Sequence, residues 1–297
     1  MDLLQAIEIR VSDRTFTGMR LDAKLRFRLM DTLTLNGPFG TCPRTVLLDA
    51  AGLAVPDDAK AAAGESKGAR IGTYGIVKSP AAYLAAMVRG RENDRLLFDL
   101  GYVVEGLVLE ATGLGLGTCW LGGTFDKGKA AAAAGVGDGE ALRALIAIGK
   151  PARTRGLLDR FIRNAAGSAD RLPAEEIARA RERDAVAAGL LHEPAVARMI
   201  EAVRRAPSAS NRQPWRLVLA RDEGGAILMD LRLARESRHE RFAGYGIQAV
   251  DGGIAARHVE VAANELGFLP ERRFQAMDGT ADPQGSGFII GWRLFRR

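Results

Sequence analysis

Arg10, Ser12 and Arg14 lie at alternating positions in Arg10-Val-Ser-Asp-Arg-Thr-Phe16. In an extended segment alternate side chains project from one side, so the three would face the same way. Two guanidinium groups with a hydroxyl between them can hold a phosphate or clamp a carbonyl edge. A solvated surface also uses this pattern, so the triplet alone leaves both readings open. A second stretch, Ala206-Pro-Ser-Ala-Ser-Asn-Arg-Gln-Pro-Trp215, brings small polar side chains and free backbone groups between two prolines. Such a loop can approach a polar, planar ligand closely, and an ordinary helix-to-strand connector has the same composition. The poverty of histidine (three residues) and the absence of a Ser-His-Asp order, a metal-ligand cluster or a Gly-Lys-Ser phosphate loop leave no self-contained catalytic set. No metal is expected.

The elements that must position these residues follow from the pattern of apolar residues. Leu3, Leu4 and Ile7 predict a short helix ahead of Arg10, and Leu21 to Leu33 a second, with Asp22 as its N-cap. Asn36 to Gly40 reads as a turn and Ala59 to Arg70 as a mobile loop. Ile71 to Val77 and Ala81 to Val88 read as strands. Asp94 to Leu114 carries the strongest helical stripe: Leu97, Leu100, Val104, Leu107, Val108 and Ala111. Its end, Gly113-Leu-Gly-Leu-Gly117, could pass for a dinucleotide fingerprint. That fingerprint follows a strand and opens a helix, whereas this run closes a helix and opens a strand. A small helix over Phe125 to Ala134, a strand over Leu142 to Ile148, and the basic Gly149-Lys-Pro-Ala-Arg-Thr-Arg155 follow. Pro173 reads as the opening of another helix. Beyond it the spacing predicts a helix over Val196 to Arg205, strands over Trp215 to Arg221 and Ala226 to Leu233, and a helix from Gln248 to Phe268.

The chain has 297 residues, a net charge of +6, and nearly half its residues apolar, the composition of a soluble globular protein. No run of eighteen apolar residues predicts a membrane span, and the first residues do not read as a signal peptide, so a cytoplasmic location without membrane association is expected. Cys42 and Cys119 lack metal-ligand spacing and read as reduced thiols. The positive charge is scattered among glutamates rather than blocked, which argues against a nucleic-acid partner and suits an anionic cofactor.

Pro-Ser-x-x-Asn-x-Gln-Pro-Trp at 207–215, Arg-x-Ser-x-Arg-x-Phe at 10–16, and Leu-Gly-Leu-Gly-Thr-x-Trp-Leu-Gly-Gly at 114–123 resemble the nitroreductase family of FMN-dependent NAD(P)H oxidoreductases. The resemblance implies an α+β fold with antiparallel-rich sheets flanked by helices, FMN as cofactor and NAD(P)H as co-substrate. Arg10 and Ser12 would face the FMN phosphate and ribityl chain, and Arg14 the N1–C2 edge of the flavin. Leu121, Gly122 and Gly123 would line the strand end, with the Gly122 backbone near flavin N5. Arg153 and Arg155 would lie near the phosphate. Pro207, Ser208, Ala209 and Asn211 would come from the loop, which in the family reaches across a homodimer and normally sits near the start of the chain.

Here that loop is displaced to the second half, and a faint repeat accompanies it. Asp99, Gly101, Ala111 and Leu114-Gly115 recur as Asp251, Gly253, Ala263 and Leu266-Gly267, each pair 152 positions apart. The sequence therefore reads as a fused pseudo-dimer: a first half over 1–156, a bridging helical segment over 157–190, and a second half over 191–297. One site would be complete, and the chain would be a monomer. The implied function is hydride transfer from NAD(P)H through the flavin to a nitroaromatic, quinone or similar small acceptor. The alternative is a flavin-binding protein that sequesters or consumes reduced FMN without steady turnover.

Overall fold

The computed structural model describes residues 1–50, 77–123, 125–152, 170–181, 185–234, 244–274 and 287–297. The expected loop at 59–70, most of the expected strand at 71–77, and both Arg153 and Arg155 lie outside the described residues. The fold is α+β, with two mainly antiparallel sheets around a central pair of helices.

The first part contains α1 (Leu3–Ile9), α2 (Ala23–Asp31), β1 (Arg44–Asp49), β2 (Ala82–Arg89), α3 (Asp94–Gly113), β3 (Gly117–Leu121), α4 (Lys127–Ala133) and β4 (Glu140–Gly149). Asp22 caps α2 as expected, its carboxylate accepting from Leu25 N at 2.8 Å. The sheet order is β1-β2-β4-β3. The second part contains α5 (Ala174–Ile177), β5 (Ala178–Ala180), α6 (Ala185–Leu190), α7 (Pro194–Arg204), β6 (Trp215–Arg221), β7 (Ile227–Leu233), α8 (Ile247–Glu265), β8 (Phe268–Arg273) and β9 (Gly287–Arg296). Its sheet order is β5-β6-β7-β9-β8. With β5 set aside, both sheets place their strands in the same sequence-relative order, and each long helix leads into the edge strand that follows it.

The helix expected to run to Phe268 stops at Glu265 because Gly267 adopts a left-handed conformation (φ +81°), which ends the helix and lets Phe268 begin β8. Pro173 opens only one helical turn. The chain then turns extended as β5 and pairs parallel to β6 through Ala178 and Leu217.

Helices α3 and α8 are buried along most of their length and pack against each other. Two glycines allow this. A Cβ on Gly101 would sit 2.1 Å from the carbonyl oxygen of Val250, and one on Gly253 would sit 1.9 Å from that of Phe98. Further along, Glu105 meets His258 and Gly106 meets Arg257. The partner numbers rise together, so the helices run in the same direction. The core is continuous from β2 and β4 through both helices to β6, β7 and β9.

Candidate functional site

The segment after α1 crosses one end of the first sheet. Ser12 bridges to Thr118 at the start of β3, and Asp13 N donates to Thr118 O at 2.8 Å. Lys78 N donates to Arg14 O at 2.8 Å, Phe16 N to Lys78 O at 3.0 Å, and Ala152 N to Thr15 O at 3.0 Å. Gly117 makes room for this crossing, since a Cβ there would lie 2.6 Å from the Asp13 carboxylate. Backbone pairing on both sides thus holds Arg10 to Phe16 extended, as the alternating pattern requires. Arg10 itself is 9 % exposed.

The loop between α7 and β6 is the most strained part of the described chain. Ser210, Asn211 and Gln213 all have positive φ (51°, 55° and 49°), although none is glycine. Each such residue costs on the order of 1–3 kcal/mol and persists only where its surroundings over-determine it. They do so here. Gln213 N donates to Ser208 Oγ at 2.9 Å, Ala209 N donates to Asp251 Oδ1 at 3.0 Å, and Leu172 N donates to Gln213 Oε1 at 3.1 Å. The Asn211 amide donates to Asp170 O at 2.7 Å and accepts from Arg171 at 2.8 Å. Pro214 then leads directly into β6, with Trp215 fully buried.

Arg171 has no counterpart in the sequence motifs. Beyond Asn211, it donates to the carbonyls of Ala206 (2.9 Å) and Arg205 (3.2 Å) at the end of α7, where helix carbonyls lack partners and a cation is favoured. Its pKa falls to about 10, first through burial and then through the nearby charges of Arg10, Arg204 and Arg205; Glu201, which pairs with Arg204 at 2.5 Å and Arg205 at 2.7 Å, acts in the other direction. Arg205 in turn donates to Glu8 O, at the end of α1, at 2.8 Å. Hydrogen bonds from Arg171 to Asn211 and to Arg205 O, and from Arg205 to Glu8 O, therefore link the 206–211 loop to the end of α1, two residues before Arg10, at one basic corner.

The far end of β3 is also tied to the second part. A Cβ on Gly122 would lie 3.0 Å from Ile247 Cδ1, and the Tyr245 hydroxyl donates to Arg143 O at 2.8 Å, with Gly122 O at 3.4 Å. Among the described residues, nothing lies within 4 Å of a Cβ built on Gly123. Ile247 and Asp251 are one helical turn apart on α8, and Asp251 carries Ala209. Leu121 is buried at the strand end. The contacts thus form a circuit: Ser12 to Thr118, along β3 to Gly122, across Ile247 to Asp251, and through the loop, Arg171 and Arg205 back to Glu8, two residues before Arg10. Thr118 and Gly122 are four residues apart on a strand, about 13 Å.

Asp251 is 2 % exposed; its Oδ2 is buried without a hydrogen-bond partner, and burial raises its pKa to about 7, opposed by the Ala209 N–H. Close by, Glu105 joins Trp120 Nε1 (2.8 Å) to His258 Nε2 (2.9 Å), and His258 Nδ1 lies 2.8 Å from Ala202 O. His258 is wholly buried in this cluster.

Sequence reasoning missed Arg171, Tyr245 and Asp251. Only the position of Asp251 in the 152-residue repeat hinted at the last of them. A concentrated positive corner, a bare strand end and an unpaired buried carboxylate oxygen beside a strained polar loop suit a planar ligand with an anionic tail. The geometry is that of a two-sheet α+β protein in which the candidate site residues come from both parts of the chain.

A sequence model of the family described as "Putative TM nitroreductase" matches residues 58–263, and the chain belongs to that nitroreductase family. A nitroreductase of Thermotoga maritima is 18% identical, over 99% of this chain and 94% of that one, with a TM-score of 0.57, a likeness of fold. A nitroreductase family protein of Clostridium novyi NT is 18% identical over 54% of this chain and 92% of its own, with a TM-score of 0.41. An FMN and NADPH-dependent nitroreductase of sphigopyxis sp. strain HMH, in mutant form, is 16% identical over the same shares, with a TM-score of 0.41. No curated protein matches the chain. No helix among the described residues is long and apolar enough to cross a membrane.

Proposed function

We propose that this chain binds FMN and acts as an NAD(P)H-dependent oxidoreductase of the nitroreductase type on a nitroaromatic, quinone or similar small acceptor. The observation that carries the reading is the basic corner, where Arg10 meets the 206–211 loop through Arg171. Several guanidinium groups held together at partial burial repel one another, and an anionic phosphate relieves that cost.

In this reading Arg10 and Ser12 hold the phosphate and ribityl chain, together with Arg153 and Arg155. Arg14 stabilises negative charge at the N1–C2 edge. Leu121, Gly122 and Gly123 let the backbone approach the ring, with the Gly122 N–H toward N5. Pro207, Ser208, Ala209 and Asn211 form the opposite wall. Asn211 is engaged by Arg171 and Asp170, so contact with a ring would exchange or share those bonds. FMN, when bound, supplies hydride chemistry at N5, and the protein supplies placement and electrostatics.

The reading extends to a fused pseudo-dimer acting as a monomer in the cytoplasm, with halves over 1–156 and 191–297 joined by 157–190. Three observations support it: the matching strand orders, the reciprocal Gly101–Val250 and Gly253–Phe98 contacts, and the equivalent places of Asp99 and Asp251. Each related pair is 152 positions apart. The test is to purify the chain with FMN, weigh it in solution and count released flavin. One flavin per monomeric chain, with NAD(P)H oxidation in the presence of a nitroaromatic or quinone, is the expected result. A colourless chain that binds no FMN overturns the reading, and flavin binding without turnover points to sequestration.

A further inference from the structure

The 152-residue relation gives Gly122 and Ile247 counterparts elsewhere, and the Asp251–Asp99 pair gives one to the loop. The counterpart of Gly122, which follows edge strand β3, is Phe274, which follows edge strand β8. Ile247, which lies over Gly122, corresponds to Arg95 at the start of α3. The 207–211 loop hangs on Asp251 through Ala209 N; its counterpart hangs on Asp99, whose carboxylate accepts from Phe39 N at 2.9 Å and from Thr41 N at 2.8 Å. Phe39 therefore stands where Ala209 stands.

Both walls of the counterpart position carry a benzyl group where the first site has a glycine and an alanine. Those rings touch. Phe39 and Phe274 have centroids 5.5 Å apart and are tilted by 50°, Phe39 meets the buried Phe98 edge-on at 5.4 Å, and the Arg95 guanidinium lies over Phe39 at 5.4 Å. Centroid separations of about 4.5–7 Å are those of favourable aromatic pairs. The arrangement is a filled space, not a gap awaiting a ligand.

We propose that Phe39 and Phe274 occupy the second ring position of the pseudo-dimer and so limit the chain to one planar ligand. This rests on the reading that the Gly122 site is the ligand site. Phe274 is 55 % exposed at a strand end, so Phe274→Gly can be made without disturbing the core; Phe39→Ala/Phe274→Gly removes both rings.

The probe is lumiflavin, the ring without a phosphate tail, titrated into the full chain and both variants, with circular dichroism to verify that each is folded. The parent should bind one equivalent. The double variant should bind one more than the parent, at least tenfold more weakly, and Phe274→Gly should show the same extra binding more weakly still. A parent chain with two equivalents overturns the proposal, as does a folded variant that gains none. The readout is the difference between variant and parent. A parent with no binding would sink the FMN reading while an added equivalent in the variant would still support the filled position.

Discussion

Asp251→Asn isolates the buried carboxyl beneath the 208–211 loop. In the folded chain burial holds this group at about 7 against an ordinary 3.8. Between those values the folded state keeps a proton that the unfolded state has lost, so unfolding releases a proton. Stability from this group therefore falls as pH rises from about 4 to about 7 and is level above that. At about 1.4 kcal/mol per pH unit, the full loss is ~4 kcal/mol, of which ~3 kcal/mol falls between pH 5 and pH 8. Asparagine keeps an oxygen for Ala209 N but has no proton to release. Its amide nitrogen takes the place of the unpaired Oδ2, a pH-independent cost of about 1–3 kcal/mol. Urea denaturation of the flavin-free chain at pH 5 and pH 8 reads the difference. The parent should lose ~3 kcal/mol more than Asp251→Asn over that interval. Equal pH dependence in the two proteins would show that Asp251 ionises normally and that its burial has been misjudged.

The remaining expectations concern the clamp, the loop and the helix pair. Arg10→Ala should weaken FMN by about 1.5–3 kcal/mol in a fluorescence titration, while Arg14→Ala should chiefly lower the flavin's reduction potential; normal affinity and potential in both would show the clamp is misassigned. Asn211→Leu should cost about 1–3 kcal/mol of FMN affinity, and unchanged affinity would reduce the loop to a connector. Gly101→Ala and Gly253→Ala each push a methyl into a backbone carbonyl of the other helix, so both should lower the unfolding free energy read by urea denaturation, by about 1–3 kcal/mol or more. A neutral result for either would mean that the helices can separate at no cost.

Much of this molecule is written locally. The apolar stripe of α3, the Asp22 cap, Pro214 ahead of β6 and the extended Arg10–Phe16 segment each depend on neighbours a few residues away, and each appears where the sequence predicts it. The three motifs also pointed to the family to which the chain belongs, because each is a short run whose residue types and spacing can be read without the fold. Strand β1 escaped notice, as did β8, whose first residue, Phe268, was read as the end of the preceding helix. Apolar residues at Leu266 and Phe268 continue the helical stripe, and the positive φ of Gly267 decides against it.

What the sequence determined by itself was the type of chemistry: a basic clamp, a polar loop and a bare strand end fit to meet a planar anion. Only the tertiary structure decided which residues link these segments. Arg171 reaches Asn211 and approaches Arg10, Ile247 lies over Gly122, Asp251 is sealed beneath Ala209, and Phe274 rests on Phe39. Each of these contacts joins residues far apart along the chain or lies in an irregular segment, where no helical or strand period signals the partner. The two bare glycines at the crossing of α3 and α8 make them possible, because they let two long helices, and with them both sheets, approach to backbone contact.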